Sequence, residues 1–257
     1  YVCLPFIFLL TSSALAVEYR VPVDDPQFFD TDAEIKRVVV ELSESLTGLS
    51  QSILEATASD LFALSEVLVN SYGFSNNEFI VDLDEEGLRT RLESAGIEIW
   101  KGERPEFLVW ATEERGLERV MIGIEPNAVV DQLLANGIRF GIPMRRPLMD
   151  LEDTMALSAA EIWGEFEGAV EHASNRYSAS QIIVIGDRPQ RSTLRYWLIN
   201  HNGQMISGEV SGVTSHERVE QFTTLLLRHA RSLEEPDGPT TRSELGDVSL
   251  PKLETGS

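Results

Sequence analysis

Gln181-Ile182-Ile183-Val184-Ile185-Gly186, then Leu194 to Ile199, then Asn202-Gly203 and Met205 to Val210, reads as a strand followed by a hairpin. Asn-Gly is the preferred dipeptide of a type I′ turn, because both central residues must take positive φ. On the C-terminal side, Thr214 and Glu217 open a helix carrying Val219, Phe222, Leu225, Leu226 and Ala230. After Leu233 the chain shifts to Pro, Gly, Ser, Thr and Glu without periodicity, so Glu234 to Ser257 reads as a disordered tail. On the N-terminal side, Ser158-Ala159-Ala160-Glu161 has capping-box spacing, and Ile162, Trp163, Phe166, Ala169, Val170, Ala173 and Tyr177 recur behind it at three and four residues. That predicts one long helix.

Further back, Arg104-Pro105 precedes Phe107-Leu108-Val109-Trp110, a dense apolar run of the buried-strand type, with Arg119 to Ile124 as its hairpin partner. Pro126 suits the first turn of a helix bearing Val129, Val130, Leu133 and Leu134, and Ile142 to Leu148 reads as a strand. The unit from 103 to 233 thus has the order strand, helix, strand, helix, strand, hairpin, helix. Before it lies a smaller unit, 17–102. Val17 to Val23 predicts a strand, and Thr31-Asp32-Ala33-Glu34 a capping box whose helix carries Ile35, Val38, Val39, Leu42 and Leu46 and ends near Gly48. A second helix is expected from about Ile53 to Val69, a strand at Phe79 to Leu83, a helix from Glu85 to Ala95 and a strand from Ile97 to Trp100. The fold class is α/β (α+β), two small mixed units without an internal repeat.

The chain has 257 residues, 42% of them hydrophobic, enough to bury a core. Its 42 Asp and Glu against 21 Lys and Arg leave a formal charge of −21. That sign repels phosphate backbones and anionic membranes, so nucleic acid is not an expected partner. Only Lys36, Lys101 and Lys252 are lysines, the remaining cations being arginines, as on a solvated acidic surface.

Tyr1 to Leu10 forms an apolar run ahead of Thr11-Ser12-Ser13 and Ala14-Leu15-Ala16, the pattern of a signal peptide with a small-x-small site. The expectation is cleavage after Ala16 and a periplasmic protein without a transmembrane segment, since the run is short of the roughly 20 residues a spanning helix needs. Cys3, the only cysteine, falls inside that signal. The mature chain would then have neither disulfides nor a thiolate nucleophile.

No catalytic or cofactor constellation is legible. His172, His201, His216 and His229 make no His-x-x-x-His pair, and there is neither a nucleophile elbow nor a phosphate-binding loop, so neither metal nor cofactor is expected. Glu165 and His172, two turns apart on the expected long helix, read more simply as a solvated face than as an acid-base pair. The densest polar feature is Asp150, Glu152 and Asp153. Such a trio could hold a hard cation, but after a strand it serves more simply to cap turns and helix amides. Arg176, beside Tyr177, is placed to bridge to this acidic loop, and Trp100, Trp110 and Trp163 read as core or core-edge residues.

Ile142-Pro143, Pro147-Leu148-Met149-Asp150-Leu151-Glu152-Asp153, Ser158, Ile162-Trp163-Gly164, Phe166, Ala173-Ser174-Asn175-Arg176-Tyr177 and Ile185-Gly186 together resemble the signature of the bacterial domain of unknown function 2066 family. Trp100, Arg104-Pro105 and Val109-Trp110 resemble its middle segment. The resemblance implies an exported protein of Gram-negative bacteria and no defined activity. More distantly, the second unit's order is similar to a small α/β domain of envelope proteins. The function expected is therefore a non-enzymatic adaptor or assembly factor of the cell envelope, contacting envelope proteins, with Asp150, Glu152, Asp153, Trp163, Arg176 and Tyr177 as a structural cluster shaping a binding edge. The alternative is a glycan or small-ligand binding protein or hydrolase that uses the acidic loop Asp150–Asp153.

Overall fold

The computed structural model describes residues 17–23, 29–63, 65–200 and 204–234. The expected signal at 1–16, the Asn202-Gly203 turn and the tail beyond Glu234 lie outside them.

The chain is a mixed α/β protein built on two sheets. The smaller has the order β1-β3-β2, from β1 (Val17–Pro22), β2 (Val69–Ser75) and β3 (Glu78–Leu83), all antiparallel. Phe79, Val81 and Leu83 of β3 alternate inward and pack on α1 (Thr31–Thr47), α2 (Gln51–Thr57), α3 (Ser59–Ala63) and α4 (Glu85–Ser94). The cap of α1 is Asp30, not Thr31. Asp30 is extended and accepts the Ala33 amide at 3.0 Å, which leaves Thr31 inside the first turn.

A single helix over Ile53 to Val69 does not form. It breaks at Ala58 into α2 and α3, continues as a 3₁₀ turn at Ser65–Leu68 and becomes β2. At Ala58 the backbone leaves the helical region (φ −136°, ψ 49°), and from Val69 the chain is taken up by pairing with β3 across Asn76 and Asn77, whose φ of 50° and 61° are the positive values a tight hairpin demands. Leu54, Leu61, Phe62 and Leu68 still reach one core, so a helical period survives without a continuous helix. Ile97 to Trp100 forms no strand among the described residues; the Trp100 amide instead donates to Leu46 O at 2.9 Å.

The larger sheet has the order β5-β4-β7-β8-β9, with β6 also on β4. Its strands are β4 (Phe107–Arg115), β5 (Glu118–Met121), β6 (Met144–Arg145), β7 (Gln181–Arg188), β8 (Thr193–Asn200) and β9 (Met205–Ser211). β4 and β7 run parallel at its centre, which explains their unbroken apolar stretches. Phe107, Val109, Ile183 and Ile185 face α5 (Ala128–Arg139) and α9 (Ser215–Glu234), while Leu108, Trp110, Ile182 and Val184 face α6 (Leu151–Ala156), α7 (Ala159–Trp163) and α8 (Glu167–Ser174). The result is a sheet sandwiched between two helical layers.

Three expectations for this part are corrected. The strand expected at Ile142 to Leu148 shrinks to Met144–Arg145, because Pro143 and Pro147 on either side have no amide to donate. Pro126 precedes the cap rather than opening the helix; Asn127 caps α5 by accepting from the Val129 and Val130 amides. The long helix expected behind Ser158 is two helices and a terminal 3₁₀ turn. The Ser158–Glu161 capping box is present, but α7 stops at Gly164 in a Schellman motif: Glu165 takes φ 58°, its amide bonds Ile162 O, and the Phe166 amide bonds Glu161 O. The order expected for residues 103–233 changes with these elements.

Candidate functional site

At the start of α6, Asp150 is extended and its Oδ1 accepts the Asp153 amide at 3.0 Å. Its two oxygens also accept from Arg176 Nη1 and Nη2 at 2.9 and 3.0 Å, a bidentate fork. Arg176 Nη1 reaches Asp153 Oδ1 at 3.1 Å and Glu152 Oε2 at 3.4 Å. Asp153 is the inner member, its side chain 0% exposed. Its Oδ2 accepts the Met149 amide at 2.8 Å and the Tyr177 hydroxyl, and that hydroxyl in turn accepts the Leu148 amide at 2.9 Å. Arg145 donates to Tyr177 O and pairs with Glu106 at 3.0 Å.

This mesh is seated on the core. Tyr177 meets the Trp110 ring edge-on, centroids 6.4 Å apart, and Trp110 Nε1 donates to the buried Ser174 Oγ at 2.9 Å. The charge arithmetic follows the geometry. The Arg176 guanidinium and the Asp153 amide hold the Asp150 carboxyl below the usual carboxylate range, and Asp150 in turn raises Arg176. Tyr177 is pushed up, first by burial and then by its bond to Asp153.

Five of the six residues singled out in the sequence thus meet: Asp150, Glu152, Asp153, Arg176 and Tyr177. Trp163 does not join them. It is buried at the end of α7 under Arg119, Arg195 and Arg188, whose guanidinium carbons lie 4.7, 5.7 and 6.0 Å from its ring centroid. Glu165 and His172 also part company. The break after Gly164 leaves Glu165 paired with Arg195, while His172 stands exposed on α8.

Chemically, the mesh holds a loop. The oxygens of Asp150 and Asp153 are occupied by guanidinium, amide and hydroxyl donors, and Glu152, at 70% exposure, is the open carboxylate of the trio. What the loop displays is apolar: Leu148, Leu151 and Met155 are 64%, 74% and 79% exposed. Leu151 and Met155 stand four apart on α6 and share a face. These three were missed in the sequence, although an apolar residue on either side of the acidic trio was a signal open to reading. Among the described residues, no group of His, Cys, Asp and Glu is arranged to hold a metal, and no helix is long and apolar enough to cross a membrane.

No protein-family model matches the chain, and no curated protein does. Among solved structures it is similar to apo histidyl-tRNA synthetase of S. aureus, at 20% identity over 63% of this chain and 33% of that one, with a TM-score of 0.24. The chain spans about a third of that protein's length, and similarity at this level carries no argument about fold or activity.

Proposed function

We propose that the chain is a non-enzymatic adaptor or assembly factor of the bacterial envelope, exported to the periplasm and related to the domain of unknown function 2066 family, with the rim of α6 as its contact surface. The observation that carries this reading is the contrast at that rim. Leu148, Leu151 and Met155 are turned to solvent, yet the loop behind them is fastened by the buried Asp153 and its bonds to Arg176, Tyr177 and Met149. Exposed apolar side chains on a rigid support are what a protein partner uses as anchors, because little ordering entropy is lost on docking. Glu152 beside them and the net charge of −21 favour a partner whose facing surface is basic.

The alternative, a glycan or small-ligand protein that uses the acidic loop, requires carboxylates free to act, and Asp150 and Asp153 are committed to Arg176. Crosslinking in intact cells with an affinity-tagged chain tests the adaptor reading. Reproducible capture of an envelope protein, lost in the L151D/M155D double variant, supports it. Capture that the double variant leaves intact, or a melting temperature raised by calcium, magnesium or envelope glycan with nothing captured, overturns it.

A further inference from the structure

Where the turn between α1 and α2 meets α9, on the far side of the larger sheet from the acidic loop, there is a cavity of about 320 Å³. That is the small end of the range for ligand pockets, roughly 300–1,000 Å³, and junctions of this kind are where such pockets recur. Its walls are Leu49, Ile53, Phe140 and Leu227. Gly48 forms part of the lining with φ 63°, and a Cβ there would lie 3.0 Å from Trp100 Cζ2, so the backbone itself closes that side.

The charges at the cavity are uneven. Two arginines, Arg228 and Arg231, face it against one carboxylate, Glu220, in a chain that is otherwise strongly acidic. Glu220 is already held by Asn136 Nδ2 at 2.9 Å and by Gln132 Nε2 at 3.4 Å. Arg231 is committed too: it donates to Thr47 O and, at 3.1 Å, to Glu98 O, and its guanidinium carbon lies 4.5 Å from the Trp100 ring centroid. Arg228 is exposed, with no hydrogen bond or ion pair among the described residues. An unpaired cation at the mouth of an apolar cavity selects a molecule with an anionic head and an aliphatic body.

We infer that this cavity is a binding site for a medium-chain aliphatic carboxylate, its tail against Leu49, Ile53, Phe140 and Leu227 and its head on Arg228. The site is separate from the rim of α6 and stands or falls without it.

Octanoate is the probe, titrated into the full chain by calorimetry and by tryptophan emission, since Trp100 lies directly behind Gly48 and Arg231. The expected result is saturable binding, about tenfold weaker in R228E and for uncharged octanol, and lost in T224W, which fills the mouth from an exposed position on α9. If T224W fails to fold by circular dichroism, I53W on the opposite wall takes its place. No saturable binding, or binding that the filling variant leaves unchanged, overturns the site. Binding that R228E leaves unchanged overturns the anionic head.

Discussion

Asp153 shows how one buried carboxylate organises a surface. It accepts from a guanidinium, a phenol and a backbone amide, so its removal takes the acceptor from the Tyr177 hydroxyl and the Met149 amide on two separate segments and leaves Arg176 to Asp150 and Glu152. Asp153→Ala is therefore expected to cost about 2–4 kcal/mol, read as a lower urea midpoint with unchanged m-value. Asp150 carries the pH dependence. Its folded pKa lies below the usual value because Arg176 and the Asp153 amide favour the anion. As pH falls past about 4 the unfolded chain takes up a proton that the folded chain still refuses, so stability is present above that pH and is lost through the folded pKa. Urea titrations between pH 5 and pH 2, as a range of about three units, should show a shallower fall in Asp150→Asn than in the parent. The acidic trio and its Arg176 partner were legible, because short-range capping and opposite charge are written in residue types. Trp163 was placed wrongly among them. Arg176 and Tyr177 are carried away from it because the chain turns between α7 and α8 at Glu165, in a left-handed conformation that residue type does not announce.

α9 is an amphipathic helix whose core side is Val219, Phe222, Leu226 and Ala230, each 1% exposed or less. Spacing of three and four residues predicted that side correctly, and Phe222 also stacks on Tyr196 of β8 with centroids 5.1 Å apart. Phe222→Ala should cost about 3–5 kcal/mol by emptying a fully buried volume, measured by chemical denaturation. At the opposite extreme are α7 and α8, which share one apolar period but not one axis. Periodicity reports which face is buried, and two helices laid on the same sheet face keep the period on either side of a break, while Phe166 at the break itself is 59% exposed. The break is made by the Schellman motif after Gly164, whose left-handed residue is Glu165 and not the glycine, Gly164 itself having a φ of −83°. Strand pairs were better specified. The central runs of β4 and β7 could only be buried on both sides, whereas β2, largely exposed, lacked the alternation that would have revealed it.

Across the whole molecule, the two sheets are tied by a few polar contacts beside the cavity. Glu44 on α1, 2% exposed, accepts from Arg139 Nε on α5 at 2.7 Å and from the Gln51 amide at 2.7 Å, and Arg231 on α9 donates to Thr47 O and Glu98 O. Trp100, close in sequence to the smaller sheet, belongs to the core of the larger one. Replacing Glu44 with Ala removes the acceptor of both donors, and the expected outcome in scanning calorimetry is a single transition broadening into two. If E44A melts in one sharp transition at the parent temperature, the tie is not what couples the sheets.

By itself the sequence determined the mixed α/β class, the central strands, the amphipathic sides of α1, α5 and α9, and the pairing of Arg176 with the acidic loop. Each rests on residues near in the chain or on gross burial, for which type and spacing carry the energy. Only the tertiary structure decided where helices break, that Val69–Ser75 joins a sheet, that Trp163 lies under three arginines, and that a cavity opens between the α1–α2 turn and α9. Those features are set by contacts between segments far apart in the chain, and no local pattern records which distant surface a side chain will meet.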